Sequence, residues 1–271
     1  MVGAIDEPGE MALLRRLADL ADAISADAFT RGDHAVATKV DGSPVTDVDL
    51  AIEQRLQEEL RHTCPADGFE GEEVGFVDGT SGLTWTVDGI DGTIAFVRGR
   101  PEWSTMIALA ENEIGIGGVI TSPALGRRWW ARIDGGAVMT LKGGDEQRLH
   151  VSDGEDVDVE RVASWPPALT LAGSMQERAK RLSSVAGETV VRPSWGRQVP
   201  HGAVLVASGL LDAFALFGGG PWDHAPAQAL VEAAGGAYTD LTGARTLHGS
   251  GGLYTNGRIH DHLVDILNTH G

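Results

Sequence analysis

An apolar run that ends in two closely spaced carboxylates constrains the fold of this chain more than any other stretch. Residues 83–87 (Leu-Thr-Trp-Thr-Val) predict a buried strand, after which Asp88 and Asp91 follow with glycines between and behind them. The glycines allow the backbone to fold closely, so both carboxylates can point at one site. The N–H groups of Gly92 and Thr93 would bind an anion there. A hard cation between carboxylates and anion would stabilise this arrangement. A plain surface turn, in which Asp-Gly pairs are common, is the alternative.

Charge and cysteine usage exclude several classes of protein. The chain has 271 residues, which suits one large domain or two small ones that share a core. With 21 basic and 39 acidic residues its net charge is −18, which argues against nucleic acid as a partner. Cys64 is the only cysteine, so we expect no internal disulfide and a cytoplasmic protein. The N-terminus lacks an apolar core and no apolar run is long enough for a membrane span, so we expect neither a signal peptide nor contact with a membrane.

The first half of the chain predicts two helices packed against a largely antiparallel sheet. Apolar residues at helical spacing predict an amphipathic helix that ends near Arg31 and Gly32, and a second helix that follows Thr46. Thr46 is the predicted N-cap with Asp49 as its capping partner, and Asp47 also suits a helix N-terminus, so capping is the simplest role for these acids. A meander of strands is predicted at residues 103–110, 114–120, 127–133 and 137–141.

Two polar segments mark a predicted loop and a predicted sub-domain boundary. Residues 68–82 are rich in glycine and acid, a composition typical of a solvated loop. Residues 142–158 are polar, so we divide the chain there into residues 1–145, a sub-domain of helices and antiparallel sheet, and residues 146–271. The second half alternates strands and helices, including a strand at Thr189–Val191, which is typical of an α/β layer.

Four acidic residues stand out as a candidate metal site. They are Glu72, Asp88, Asp91 and Asp223, the last at the start of a helix after three glycines, where an aspartate also serves simply as a helix-start residue. Together they would supply the oxygen ligands that Mg²⁺ prefers, whereas the sequence has no cluster of the histidine and cysteine ligands that zinc favours. We find no phosphate-binding P-loop, no dinucleotide fingerprint and no nucleophile elbow.

Three motifs resemble the inositol monophosphatase family in their order and spacing. They are residues 71–73 (Gly-Glu-Glu), residues 87–93 (Val-Asp-Gly-Ile-Asp-Gly-Thr), and residues 222–223 (Trp-Asp) with a helix that ends at residues 234–236 (Ala-Gly-Gly). The resemblance covers nearly the whole chain. Within the family, residues 96–104 and 123–131 are most similar to the actinobacterial-type histidinol-phosphate phosphatases.

The resemblance implies an α/β fold, a layered sandwich of alternating helices and sheets, and hydrolysis of phosphomonoesters with two or three Mg²⁺ ions. On the family pattern Gly92 and Thr93 would hold phosphate, Asp47 and Thr93 would orient the metal-activated water, and Glu73 would assist. The first sub-domain would carry most metal ligands and the second the remaining one with the substrate-facing residues, in a homodimer. The implied metal ligands are the side chains of Glu72, Asp88, Asp91 and Asp223 and the main-chain carbonyl of Ile90.

The chain departs from the family pattern around the site but keeps every metal carboxylate. Gly89 stands where proline is usual, and Ile94 and Ala95 replace polar residues. Arg197 offers a fork suited to carboxylate or phosphate, and His224 could reach a substrate, although each could also be a surface residue. We therefore expect a retained phosphatase with a shifted substrate. Candidate substrates are histidinol phosphate or a related sugar, nucleoside or cyclitol phosphate in a specialised biosynthetic pathway, with inositol monophosphate as an alternative. A catalytically impaired binding or scaffold protein is the competing class.

Overall fold

The computed structural model describes residues 9–40, 42–158, 160–186 and 199–269 of the chain. Its helices are α1 (Gly9–Arg31), α2 (Asp47–Thr63), α3 (Thr93–Val97), α4 (Gly173–Ala186), α5 (Ala203–Ala207), α6 (Pro221–Ala233) and α7 (His260–Asn268). Its strands are β1 (Val36–Thr38), β2 (Pro44–Thr46), β3 (Gly68–Gly71), β4 (Gly75–Val77), β5 (Leu83–Asp91), β6 (Ser104–Glu111), β7 (Ile114–Ser122), β8 (Arg127–Arg132), β9 (Gly136–Leu141), β10 (Glu146–Leu149), β11 (Val162–Trp165), β12 (Ala213–Leu216), β13 (Ala237–Thr239) and β14 (Gly252–Thr255).

Helices and sheets alternate in layers. The large sheet has eight strands in the order β10-β9-β8-β7-β6-β5-β3-β4, and its neighbouring strands are antiparallel except β3 and β5. Helices α1 and α2 cover one face of this sheet, and α5 and α6 cover the other. The small sheet has four strands in the order β11-β12-β14-β13 and packs on the far side of α5 and α6, while α4 and α7 form the outermost layer. This architecture confirms the predicted α/β layered sandwich.

Strand β5 shows how the sequence positions the candidate site. Trp85 and Val87 are buried against α1 and α2, whereas Thr86 and Asp88 alternate with them and face the opposite side of the sheet. Because helices cover both faces, apolar residues run almost continuously along the neighbouring strand β6. Asp88 consequently points into the interior towards α6, and it is only 2 % exposed.

Most predicted elements are present in the structure. Helix α1 ends at Arg31, and Thr46 caps α2: the Thr46 N–H donates a 2.9 Å hydrogen bond to Asp49 Oδ2, and the Asp49 N–H returns one to Thr46 Oγ1. The meander of strands β6 to β9 follows the predicted order. The predicted strand at Thr189–Val191 lies outside the described residues. Among the described helices, none is long and apolar enough to cross a membrane.

The prediction of a solvated loop over residues 68–82 is wrong. Strand β3 in this segment pairs with β5 inside the large sheet, with Phe69 opposite Trp85. The sequence pattern does not predict this strand because glycines replace the usual apolar residues. Gly71 leaves room for Glu53, since a Cβ on Gly71 would lie 2.3 Å from Glu53 Oε2. Strand β10 was likewise hidden in the polar segment 142–158. Because β10 begins at Glu146 and pairs with β9, the division at residue 145 stays a prediction.

Candidate metal centre

Asp88 and Asp91 reach the same side of the large sheet because β5 contains a bulge. Asp88 pairs with Met106 and Asp91 with Ser104, so three steps along β5 match two steps along β6. In a regular strand Asp91 would point away from Asp88, since side chains alternate between the faces. The extra residue turns Asp91 back, and its Oδ2 accepts a long, 3.4 Å hydrogen bond from Ser104 Oγ.

Helix α6 supplies the third carboxylate of the cluster. Asp223 lies in its first turn, and Asp223 Oδ2 accepts a 2.7 Å hydrogen bond from the N–H of Gly220. Carboxylate oxygens of Asp88, Asp91 and Asp223 all lie within 4.8 Å of one another. Asp88 Oδ1 is buried and has no hydrogen-bond partner. The structure therefore brings these three predicted ligands together with an oxygen atom left unpaired.

Burial and mutual repulsion perturb all three carboxyl groups. Burial, followed by the charges of nearby acids, raises the pKa values of Asp88 and Asp91 well above their ordinary value. The pKa of Asp223 rises to about 7, chiefly through burial, although the Gly220 hydrogen bond opposes the rise. The charge of Glu72 contributes to all three shifts. A cation would relieve this repulsion, and because the donors are all oxygen the cluster fits Mg²⁺.

Glu72 and Glu73 lie beside the cluster and share a lysine. Lys39, from the segment between β1 and β2, places its Nζ 2.6 Å from Glu72 Oε1 and also forms an ion pair with Glu73 Oε1. Burial lowers the pKa of Lys39, but the hydrogen bonds and charges of the two glutamates outweigh it and raise the pKa overall. The single ammonium charge therefore offsets part of the negative charge of Glu72 and Glu73.

Helix α2 contributes two more buried acids near this site, Asp49 and Glu53. Glu53 Oε2 accepts hydrogen bonds of 2.9 Å from the N–H groups of Glu73 and Val74, which fixes the turn after β3. Burial raises the pKa of Asp49 to about 6 and that of Glu53 to about 7, against the lowering effect of their hydrogen bonds. Glu53 therefore holds the segment that carries Glu72 against α2, whereas Asp49 bonds to Thr46 at the start of that helix.

Gly89 is required by the close approach of α2 to the bulge. A Cβ at this position would lie 2.5 Å from the main-chain oxygen of Asp49. The Gly89 carbonyl accepts a 2.8 Å hydrogen bond from Thr105 Oγ1, which ties the bulge to β6. Gly89, which stands where the family usually has proline, is therefore tightly packed. Any side chain there, including a proline ring, would require α2 to shift.

The turn after Asp91 has the form of an anion site. Gly92 has a left-handed φ of 84° and precedes the short helix α3, whose first N–H groups have no partner within the helix. Thr93 Oγ1 donates a 3.1 Å hydrogen bond to the carbonyl of Ile90, the predicted main-chain ligand. This contact fixes Thr93 and Ile90 relative to each other beside the carboxylates.

Two predicted site residues make hydrogen bonds outside this cluster, and a third lies outside the described residues. Asp47 is exposed, and its Oδ1 accepts a 2.9 Å hydrogen bond from the N–H of Ala35, which supports the base of the β1–β2 hairpin. Arg197 lies outside the described residues. His224 is fully buried, and its Nδ1 lies 2.8 Å from the hydroxyl of Tyr254. The alternative of a surface histidine is therefore wrong, and contact between His224 and a substrate stays a prediction.

Sequence reasoning missed three residues around the centre. Asp49 and Glu53 are four residues apart on α2, so they share one helix face with the core residue Ile52 on the same side. Acids on a buried helix face are a signal of a functional site, but the capping role of Asp49 concealed it. Lys39 stands between exposed residues and no sequence pattern marks it.

The chain is similar to known proteins over nearly its whole length. A model of the inositol monophosphatase family matches residues 11–271. Relatives named histidinol-phosphatase from Streptomyces coelicolor and Mycobacterium tuberculosis are each 36 % identical over 96 % of this chain, and the matches cover 97 % and 98 % of those relatives. A solved Thermotoga maritima inositol monophosphatase has a TM-score of 0.72 at 27 % identity, over 96 % of this chain and 95 % of that one. The extragenic suppressor protein suhB of Bartonella henselae shares the fold, with a TM-score of 0.80 at 22 % identity, over 97 % of this chain and 100 % of that one.

Proposed function

The chain belongs to the inositol monophosphatase family and is a phosphatase of phosphate monoesters, and from this premise we propose that it depends on Mg²⁺ and acts on histidinol phosphate or a related small metabolite. One observation carries the proposal: Asp88, Asp91 and Asp223 converge within 4.8 Å. The Gly92–Thr93 turn follows Asp91 directly in sequence, so a phosphate group could contact both the turn and the carboxylates.

The proposed mechanism assigns one task to each group of residues. The three aspartates, with Glu72 and the carbonyl of Ile90, would hold two or three ions. Bound Mg²⁺ would neutralise the phosphate charge, stabilise the leaving alkoxide and lower the pKa of the attacking water. Backbone N–H groups of Gly92 and Thr93 would hold the phosphate oxygens.

Water orientation and proton handling would fall to side chains around the cluster. Thr93 and Asp47 would orient the attacking water, and Glu73 would assist from its position beside Lys39. The hydrogen bonds from Glu73 and Val74 to Glu53 keep this segment fixed against α2, so Glu73 would be oriented before substrate arrives. Arg197 is proposed to contact the carboxylate or phosphate of the substrate.

The names of the relatives, ordered by their identity to this chain, give the order of the candidate substrates. Both relatives at 36 % identity carry the name histidinol-phosphatase, so histidinol phosphate is the first candidate. A relative at 29 % identity is named inositol-1-monophosphatase ImpA, which keeps inositol monophosphate as an alternative. The intact carboxylate cluster argues against a non-catalytic scaffold, since like charges without a cation destabilise a fold. A cytoplasmic homodimer with two sub-domains, residues 1–145 and 146–271, remains part of the proposal.

Phosphate release across a panel of monoesters tests the function. The panel contains histidinol phosphate, inositol monophosphates, fructose 1,6-bisphosphate, sugar phosphates and nucleotide monophosphates, each measured with Mg²⁺ and with EDTA. We expect release that EDTA abolishes and that Asp91→Asn lowers by roughly 10³-fold or more. Asp134→Asn is the matched control, because the side chain of Asp134 is 65 % exposed in the β8–β9 turn and pairs with Arg132. Release that persists in EDTA, or that Asp91→Asn leaves intact, would contradict the proposal.

A further inference from the structure

The β11–β12 edge of the small sheet carries no charge at its carboxyl end and exposes large apolar side chains. Residues 162–172 and 213–222 contain no charged residue, although charged residues make up 22 % of the chain. These two stretches contain β11 and β12, which run parallel with Trp165 in register with Leu216 at their carboxyl ends. Trp165 is 50 % exposed and Leu216 is partly buried. In α/β sheets, ligands bind beyond the carboxyl ends of parallel strands.

This apolar end lies against the metal centre. Side chains alternate along β12, and Leu216 packs on the same side as Phe214, the side that faces α5 and α6. A Cβ placed on Gly219 would lie 3.2 Å from Leu216 Cδ2 and 3.0 Å from Asp223 Oδ2. The leucine side chain and the carboxylate therefore flank the same glycine.

Trp222 extends the apolar surface to the residue before Asp223. Its indole covers Gly220, where a Cβ would lie 2.5 Å from the ring, and it remains partly exposed. Trp165, Leu216 and Trp222, here named the apolar wall, thus lead from the open end of the small sheet to the carboxylate cluster.

We propose that the apolar wall receives the alcohol half of the substrate and selects a flat aromatic or heteroaromatic ring over a polyol. The inference rests on the proposed function, because the cluster must hold the phosphate for its alcohol to reach the wall. A ring gains by removing its apolar faces from water against leucine and indole. The hydroxyl groups of a polyol would lose water there, and the three wall side chains offer them only the indole N–H groups as partners.

A pair of simple primary-alcohol phosphates tests the selection. The probes are 2-phenylethyl phosphate and glycerol 1-phosphate, assayed with Mg²⁺ on the full chain. We expect kcat/KM to favour the phenyl compound at least tenfold, and Trp165→Gln to reduce this ratio at least fivefold. Leu216→Gln should act in the same direction. Val185→Gln on α4, where Val185 is 41 % exposed in the outermost layer, is the matched control and should leave the ratio unchanged.

The ratio of the two kcat/KM values distinguishes failure of the apolar wall from failure of the proposed function. A merely structural role of the wall would lower both rates together and leave their ratio unchanged, which would overturn the inference. If the native protein releases phosphate well from both compounds at a ratio near one, the apolar wall does not select the ring. The proposed function would then still hold. No Mg²⁺-dependent release from these probes or from the whole panel would overturn both.

Discussion

The two sheets present opposite chemistry to the same site. The end of β5 in the large sheet carries Asp88 and Asp91, buried or half-buried charges whose positions depend on a backbone bulge. The end of β12 in the small sheet carries Leu216 and no charge. The first region is held by main-chain geometry, and the second by side chains that can change without moving the backbone. We infer that the large sheet sets whether a phosphate ester is hydrolysed and the small sheet sets which one.

The largest expected effect comes from removing one charge of the cluster. Asp88→Asn should lower the hydrolysis of every substrate by roughly 10³-fold or more, because a metal ligand is lost. The same change should raise the melting temperature of the metal-free protein by about 2 °C or more, since it removes repulsion from Glu72, Asp223 and Asp91. Calorimetry in EDTA and phosphate-release assays measure the two effects.

Asp22→Asn is the control for the prediction that Asp88→Asn lowers the rate and raises the melting temperature. It is also an acid with a pKa raised by burial, but its Oδ2 lies 2.6 Å from Arg128 and its carboxylate accepts hydrogen bonds from Thr121. Asp22→Asn should therefore lower the melting temperature and leave turnover unchanged. If Asp88→Asn also lowers the metal-free melting temperature, repulsion does not dominate the cluster and the contrast between the sheets is weaker.

The second prediction concerns the backbone that holds the large-sheet region. Gly89→Ala places a Cβ 2.5 Å from the main-chain oxygen of Asp49, so α2 or the bulge must shift. We expect a loss of activity of about 10–100-fold and of stability of about 1–3 kcal/mol. Gly117→Ala in β7 is the control, because a Cβ there would meet its nearest neighbours at an ordinary 3.5 and 3.6 Å. Full activity in Gly89→Ala would show that the site tolerates a backbone shift.

The carboxylates and their shared site were predictable from sequence, but the bulge that turns Asp91 towards Asp88 was not. Two aspartates after a buried strand, and a third after three glycines, indicate an oxygen site from residue type and spacing alone. The bulge depends on how β5 pairs with β6, which only the folded partner strand determines. The roles of Lys39 and Glu53 were not predictable for a related reason. Their contacts with Glu72 and Glu73 join residues some twenty or more positions apart. The layers of the fold were predictable because periodicity is local, apart from the glycine-rich strand β3 and the polar strand β10.

The third prediction links metal binding to pH. A raised carboxyl pKa means that the metal-free native state holds protons more tightly than the unfolded chain. Its stability should therefore fall as pH rises from the ordinary value of 3.8 towards the value of about 7 at Asp223. Mg²⁺ competes with those protons, so the rise in melting temperature on adding Mg²⁺ should be several degrees larger at pH 8 than at pH 5.5. Equal rises at both pH values would mean that the cluster does not bind the ion.

The smallest expected effect comes from the polar contact that joins the small sheet to α6. Tyr254→Phe removes the hydroxyl that lies 2.8 Å from His224 Nδ1 and leaves that buried nitrogen unpaired. The cost should be about 1 kcal/mol, or about 2–4 °C in melting temperature. The rate should fall less than threefold, because the Gly220 N–H holds Asp223 independently. Tyr238→Phe, which loses only a 3.1 Å bond to the carbonyl of Thr246, is the control. A tenfold loss of rate in Tyr254→Phe alone would mean that the small sheet also positions a metal ligand, and the division of tasks between the sheets would then be wrong.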